Sequence, residues 1–146
     1  MSEDDLGSAR RRGLAVVTGR YRHDELPDLD SPAQDAETAT RILGNPAIGN
    51  FLPFETLLNH DVRTLENQIY DFFLTADRDE FLFVYFSCHG RRDPDGRLYL
   101  ATIDTEPGRL PPTALSADDI RSWMDACPAE KVVVGGQRRG RHRERA

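Results

Sequence analysis

Only one of the 19 basic residues in this 146-residue chain is a lysine, Lys131, and the rest are arginine. Cysteine is almost as scarce. Cys88 and Cys127 are the whole supply, too few for the disulfide framework of a small secreted domain, and a reducing cytoplasm is the expectation. No apolar run approaches the roughly 20 residues of a membrane span, so no membrane partner is expected. The opening residues Met1-Ser-Glu-Asp-Asp5 lack the basic and apolar regions of a signal peptide, which argues against export. There is no internal repeat. His23, His60 and His142 show no metal-ligand spacing and read as surface residues. Leu43-Gly-Asn-Pro-Ala-Ile-Gly49 lacks the lysine and spacing of a phosphate-binding loop. Neither a metal nor any other cofactor is expected.

Charge is unevenly spread. The net value is −6, but residues 137–146 hold five Arg and one Glu, so residues 1–136 carry −10. An acidic body argues against a nucleic-acid partner. At this length the chain is one domain, able to bury roughly two-thirds of its unfolded surface.

The most informative stretch that is present is Phe81-Leu-Phe-Val-Tyr-Phe-Ser-Cys-His-Gly90. Its apolar run, rich in aromatic and branched residues, reads as a strand buried on both faces of a sheet. The His-Gly pair at its carboxyl end stands where open α/β sheets place their ligands and chemistry. Around it the pattern alternates. Gly13-Leu-Ala-Val-Val-Thr-Gly19 reads as a first buried strand, followed by an acidic loop from Tyr21 to Asp30. Ser31-Pro32-Ala33-Gln34 predicts a helix with serine as cap, proline in the first turn and glutamine closing a capping box. Ala36, Ala39 and Leu43 form its narrow apolar stripe, and Gly44-Asn45-Pro46 stops it.

Phe54–Leu58 reads as a short strand. Asp61 caps a second helix with Val62, Leu65, Ile69, Phe72 and Phe73 on one face. Arg92-Asp-Pro-Asp-Gly96 is a turn signal leading into a strand at Leu98–Thr102. Ser116 caps a third helix carrying Ile120, Trp123 and Met124, and Lys131–Val134 starts a last strand. Strands alternating with helices predict an α/β fold, a mainly parallel sheet with helices on both faces.

Several of these segments resemble the caspase-like cysteine peptidases, the bacterial metacaspase-type branch most of all. They are Gly19-Arg-Tyr21, Asp35, Phe83-Val-Tyr-Phe-Ser-Cys-His-Gly90, Gly96-Arg-Leu-Tyr-Leu-Ala-Thr-Ile-Asp104 and Ser116-Ala-Asp-Asp-Ile120. The resemblance covers roughly residues 13–134, the large-subunit portion of such a domain. It implies a three-layer α/β sandwich that cleaves peptide bonds with a Cys–His dyad, acting on a protein or peptide substrate. It also implies that His89 is the catalytic base and that the backbone N–H of Gly90 helps bind the oxyanion. The chemistry suits such roles. A thiolate is the nucleophile, a neighbouring imidazolium keeps it ionised, and a backbone N–H aims at developing charge without side-chain entropy.

One partner is missing from the pattern. The family's last strand continues into an Asp-Cys or Cys-Cys pair, and in caspases the histidine precedes the cysteine by about 50 residues. That count lands near residue 139, where this chain has Arg138 and Arg139. Cys88 neighbours His89, but adjacent strand residues point to opposite faces, so Cys88 reads as a small packed residue. Cys127, at a helix end on the opposite edge of the sheet from His89, reads the same way. The alternative to a peptidase is a non-catalytic pseudopeptidase that binds peptides or proteins.

The acidic side chains Asp24, Glu25, Asp28 and Asp30 read as a solvated turn, the alternative being a substrate pocket that favours Arg or Lys at the cleavage position, as the resemblance implies. Residues 1–12 are expected to be a flexible leader, 13–134 the caspase-like domain, and 135–146 a disordered arginine-rich tail. A last strand ending at Val134 would leave the sheet incomplete at that edge, a template for self-association. The abrupt switch in composition at Gly135 predicts a reading-frame shift or truncation in a longer peptidase gene.

Overall fold

The computed structural model describes residues 10–129 and 131–139. The strands are β1 (Arg11–Val17), β2 (Phe54–Leu58), β3 (Phe81–Arg92), β4 (Leu98–Leu100), β5 (Leu115–Ser116) and β6 (Lys131–Arg139). The helices are α1 (Ser31–Leu43), α2 (Val62–Leu74), the single turn α3 (Leu110–Thr113) and α4 (Ala117–Ala126), with a 3₁₀ turn at Pro107–Arg109. The architecture is the α/β class expected from the alternating pattern.

β3 is the axis of the sheet. It pairs in parallel with β1, from Phe81 opposite Arg11 to Ser87 opposite Val17. It also pairs in parallel with β6, from Phe81 opposite Lys131 to His89 opposite Arg139. Its last three residues turn to an antiparallel partner, β4, which pairs in turn with β5. β2 lies outside β1 in parallel register. The strand path is β2-β1-β3-β4-β5, with β6 on β3.

Alternation along the strands separates two cores. Leu14, Val16, Leu82, Val84, Phe86 and Cys88 face one side, where Leu65, Ile69 and Phe73 of α2 and Ile120 of α4 cover them. Ala15 and Val17 face the other side and meet Ala36 of α1, with Phe54 and Tyr85 packed alongside. The result is three layers, with two helices below the sheet and one above. The small Ala15–Ala36 contact lets α1 lie close, as its narrow alanine stripe predicts.

Local signals explain most boundaries. Asp61 accepts the Thr64 N–H at 2.8 Å and caps α2, while Ser116 accepts from Asp119 and caps α4. The hairpin turn at Asp93–Gly96 closes through Gly96 N–H to the Asp93 carbonyl, 2.9 Å, with Gly96 at φ +84°. That left-handed value is where glycine costs least.

Three sequence expectations are corrected. β1 begins at Arg11, two residues before Gly13, and the arginines ahead of it are fastened. Arg12 Nε donates to Glu80 Oε2 at 3.0 Å, Arg10 pairs with Asp77, and the Arg11 guanidinium lies over Phe51 and Phe81. The part of the expected leader from 1 to 9 lies outside the described residues. The capping box of α1 does not form. Asp30 occupies the cap position in helical conformation without a side-chain cap bond, its carboxylate lying 3.4 Å from Arg20 Nη1. Finally, β6 runs to Arg139, five residues past Val134, because the backbone ladder with β3 continues where apolar side chains stop. Residues 140–146 of the expected tail lie outside the described residues.

Glu80 is the buried charge of this frame, 3% exposed at the foot of β3. It accepts from Arg12 and from the Asp77 N–H at 2.8 Å. Removing it strands Arg12 and frees an amide. Glu80→Ala is expected to lower unfolding free energy by about 2–4 kcal/mol, and Glu80→Gln by less, in urea denaturation. An unchanged midpoint for Glu80→Ala would refute this anchoring.

Candidate active site

His89 stands near the carboxyl end of β3, where β1 has already stopped and β4 takes over the pairing. The switch of partners opens a notch beside it, and the loop Thr18–Asp30 fills that notch. The loop is bound in from both sides. Asn59 Oδ1 accepts the Gly19 N–H at 2.8 Å, and Arg22 N–H donates to the Ile103 carbonyl at 2.9 Å. Asp28 Oδ1 takes the Tyr21 N–H at 3.0 Å. Leu26, 1% exposed, is the apolar anchor at the centre.

His89 is held through three atoms, two by this loop and one by the residue that follows β4. The His89 N–H donates to the Tyr21 hydroxyl at 3.0 Å, and that hydroxyl donates to the Thr18 carbonyl at 2.7 Å. The His89 carbonyl accepts from Ala101 N–H at 2.9 Å. Nε2 of the ring lies 2.7 Å from the Pro27 carbonyl oxygen. A carbonyl only accepts, so Nε2 carries the hydrogen, and in the neutral ring the lone pair is on Nδ1. The Tyr21 ring leans on the imidazole, 4.8 Å between centroids at 50°. Burial, above all, and the nearby Cys88 thiol push the Tyr21 phenol well above its ordinary value, so it stays a neutral donor. His89 itself is 6% exposed.

Gly90 follows in the antiparallel pair with Leu100, and its carbonyl accepts from Arg91 Nη1 at 2.9 Å. Ser87 precedes His89 by two residues. Its hydroxyl is fully buried and has no hydrogen-bond partner among the described residues, which keeps it from reaching a ligand. Cys88 lies in the apolar cluster with Leu100, Leu115 and Ile120, on the face opposite the His89 ring. Cys127 gives its thiol hydrogen to the Phe73 carbonyl at 3.3 Å. Across the strand pair, the backbone of Arg139 stands opposite His89 and that of Arg138 opposite Cys88.

The acidic loop residues divide. Asp28 and Asp30 shape the loop through Tyr21 and Arg20, and Asp24 and Glu25 are exposed. His23 Nδ1 accepts the Glu25 N–H at 3.1 Å. Among the described residues no three His, Cys, Asp or Glu side chains are grouped to hold a metal ion. A groove of about 580 Å³ opens elsewhere, along β6 and α4, and His89 does not line it.

No family model and no curated protein matches the chain. The backbone, however, superposes on the crystal structure of caspase-1 from Spodoptera frugiperda with a TM-score of 0.62, over 87% of this chain. The chain has a caspase-like fold. Identity over that match is 17%, so the likeness is one of architecture, and the chain spans 46% of the length of that neighbour. No helix among the described residues is long and apolar enough to cross a membrane.

Two contacts of His89 escaped the sequence. Tyr21 had a detectable signal, an aromatic residue in a polar loop three positions after a buried threonine. The Pro27 acceptor had none, because every residue but its conformation offers the same carbonyl.

Tyr21→Phe removes the acceptor for the His89 N–H and the donor to Thr18 together. Stability should fall by about 2 kcal/mol, and the His89 ring ¹⁵N resonances should broaden or shift as the ring loosens. Retention of the wild-type stability and resonances would count against this fastening. The raised phenol value also sets a pH dependence. The unfolded phenol ionises near pH 10 and the folded one later, so its contribution is complete below about 10 and is lost as pH rises through the folded value. Chemical denaturation should show wild-type stability declining above that point more steeply than that of Tyr21→Phe.

Proposed function

We propose that this chain is a caspase-like cysteine-endopeptidase domain of the bacterial metacaspase type, with the base present and the nucleophile position occupied by arginine. The observation that carries the reading is the His89 ring at the end of β3, its Nε2–H held by the Pro27 carbonyl. That arrangement fixes the tautomer without spending a titratable group, and leaves Nδ1 as the nitrogen able to take a proton. In the complete dyad, Nδ1 takes the proton of a cysteine thiol and the thiolate attacks the scissile peptide carbonyl. The Gly90 N–H receives the developing oxyanion. The imidazolium then protonates the departing amine, and water hydrolyses the thioester.

The backbone register supports position 139 as the place for that cysteine, since residues opposite one another in adjacent strands share a face. With arginine there, this copy lacks chemistry. Loss of the nucleophile in a comparable protease costs roughly six orders of magnitude, against about 10² to 10⁴ from a general base alone. A second reading follows from the same arginines: a pseudopeptidase that binds protein or peptide without cleaving it. We read the arginine-rich end as the product of a frame shift or truncation in a longer gene. A cytoplasmic setting suits two cysteines that are not joined in a disulfide.

The test is to supply the thiol. Arg139→Cys, with Arg138→Cys as its neighbour, is compared with wild type against peptides bearing Arg, Lys or Asp before the scissile bond, and against iodoacetamide. Wild type should cleave nothing measurable. Arg139→Cys should be alkylated at neutral pH roughly tenfold faster than an ordinary thiol, and His89→Ala should abolish the gain. If the thiol at neither position senses His89, the dyad reading fails. Sequencing the coding DNA across codons 130–146 in all frames tests the frame shift, and a frame lacking any Asp-Cys or Cys-Cys continuation would refute it.

A further inference from the structure

Tyr21 and Pro27, the two loop residues that touch His89, each stand two places inside a closed neck. Gly19 and Leu29 form the neck, where the Leu29 N–H donates to the Gly19 carbonyl at 2.7 Å. Arg20 staples it. Its Nη1 donates to the Gly19 and Leu29 carbonyls at 3.1 Å each and lies 3.4 Å from Asp30 Oδ1. The fit is tight, since a Cβ on residue 19 would come within 2.5 Å of the Leu29 carbonyl oxygen. A loop with its ends joined moves as a unit, so a shift of the neck displaces both contacts of His89 together.

The neck in turn rests on Asn59, the residue directly after β2. Its N–H donates to the Val17 carbonyl at 2.8 Å, which ties it to the last residue of β1. Its φ of +56° is left-handed, a conformation asparagine adopts more readily than most residues. In that pose Oδ1 accepts two amides at once, Gly19 at 2.8 Å and Arg20 at 3.2 Å. Both amides lie past the end of β1, beyond its ladder with β2.

We infer that Asn59 is a positioning residue for His89. By fixing the neck it holds the Pro27 carbonyl on the ring Nε2–H, and so keeps the lone pair on Nδ1. It acts through the loop and not on the ring, and the inference rests on the proposed role of His89 as a base. A neutral imidazole has two tautomers, and a hydrogen on Nδ1 leaves that atom nothing with which to take a proton. A carboxylate at position 59 supplies the same acceptor. Glycine supplies none, yet adopts the left-handed backbone freely. Asn59→Gly therefore removes the acceptor without straining the turn.

The test is the ¹⁵N spectrum of the neutral His89 ring in the full chain. In wild type one ring nitrogen should resonate as protonated and the other as bare. Asn59→Gly should draw the two shifts together as both tautomers fill, and Asn59→Asp should keep them apart. Glu80→Ala loosens the frame at the opposite end of β3 and should leave the wild-type shifts, which separates positioning from general destabilisation. Arg20→Ala should act in the same direction as Asn59→Gly. Wild-type shifts in Asn59→Gly, or in Arg20→Ala should the glycine variant not fold, overturn the inference. So does an Asn59→Asp or Glu80→Ala chain whose shifts merge as far as those of the glycine variant. In the Arg139→Cys background, Asn59→Gly should slow alkylation by iodoacetamide about tenfold, and Asn59→Asp should not. If Arg139→Cys gains no reactivity with Asn59 in place, the dyad is what fails, and the ring spectra alone decide the role of Asn59.

Discussion

The structure depends on one strand outliving its neighbour. β3 runs for twelve residues and β1 for seven, so β3 must find a new partner before it ends. It finds β4 in the opposite direction, and the handover happens at His89 and Gly90. A histidine at such a seam is buried but not enclosed by a regular ladder. Its amide, carbonyl and ring nitrogen each need a partner, because an unpaired buried polar group costs about 1–3 kcal/mol. The loop after β1 and the end of β4 supply all three, and this is why that loop is ordered around so few apolar residues.

The two faces of the sheet are built on different economies of space. One face presents leucine, valine and phenylalanine to two helices and forms the main core. The other presents alanine to alanine and brings a single helix close to the backbone. The His89 ring lies on the thinner side, near the surface that α1 and its preceding loop define. The apolar groove lies on the thicker side. The His89 surface and the apolar groove are therefore separated by the sheet itself.

How much could be read from the chain depended on whether a signal was local. The β3 run, the Asp61 cap, the Asp-Pro-Asp-Gly turn and the Ser116 cap each act within a few residues, and each appears where the sequence puts it. The start of β1 was hidden because its arginines look like a solvated leader until Glu80, nearly 70 residues away, is placed beside them. Ser31 lost its capping role because the helix already includes it, with Asp30 at the cap position. The length of β6 was hidden for the opposite reason. Glycine, glutamine and arginine carry no strand signal of their own, and only the neighbouring β3 ladder gives their backbone a partner. The position of His89 was legible from its motif, and its tautomer was not, because the Pro27 carbonyl, 62 residues away along the chain, decides it.

That carbonyl has a consequence for how such a site would drift over generations. An acidic side chain in its place could be deleted by a single base change, leaving an obvious scar. The oxygen of residue 27 belongs to the main chain, and any amino acid put there keeps it. Side-chain scanning across the loop would pass over it in silence. Its location is set instead by buried Leu26 and by the turn that joins the Leu26 amide to the His23 carbonyl. The imidazole clamp can thus persist through any change of side chain at position 27, for as long as the loop still folds.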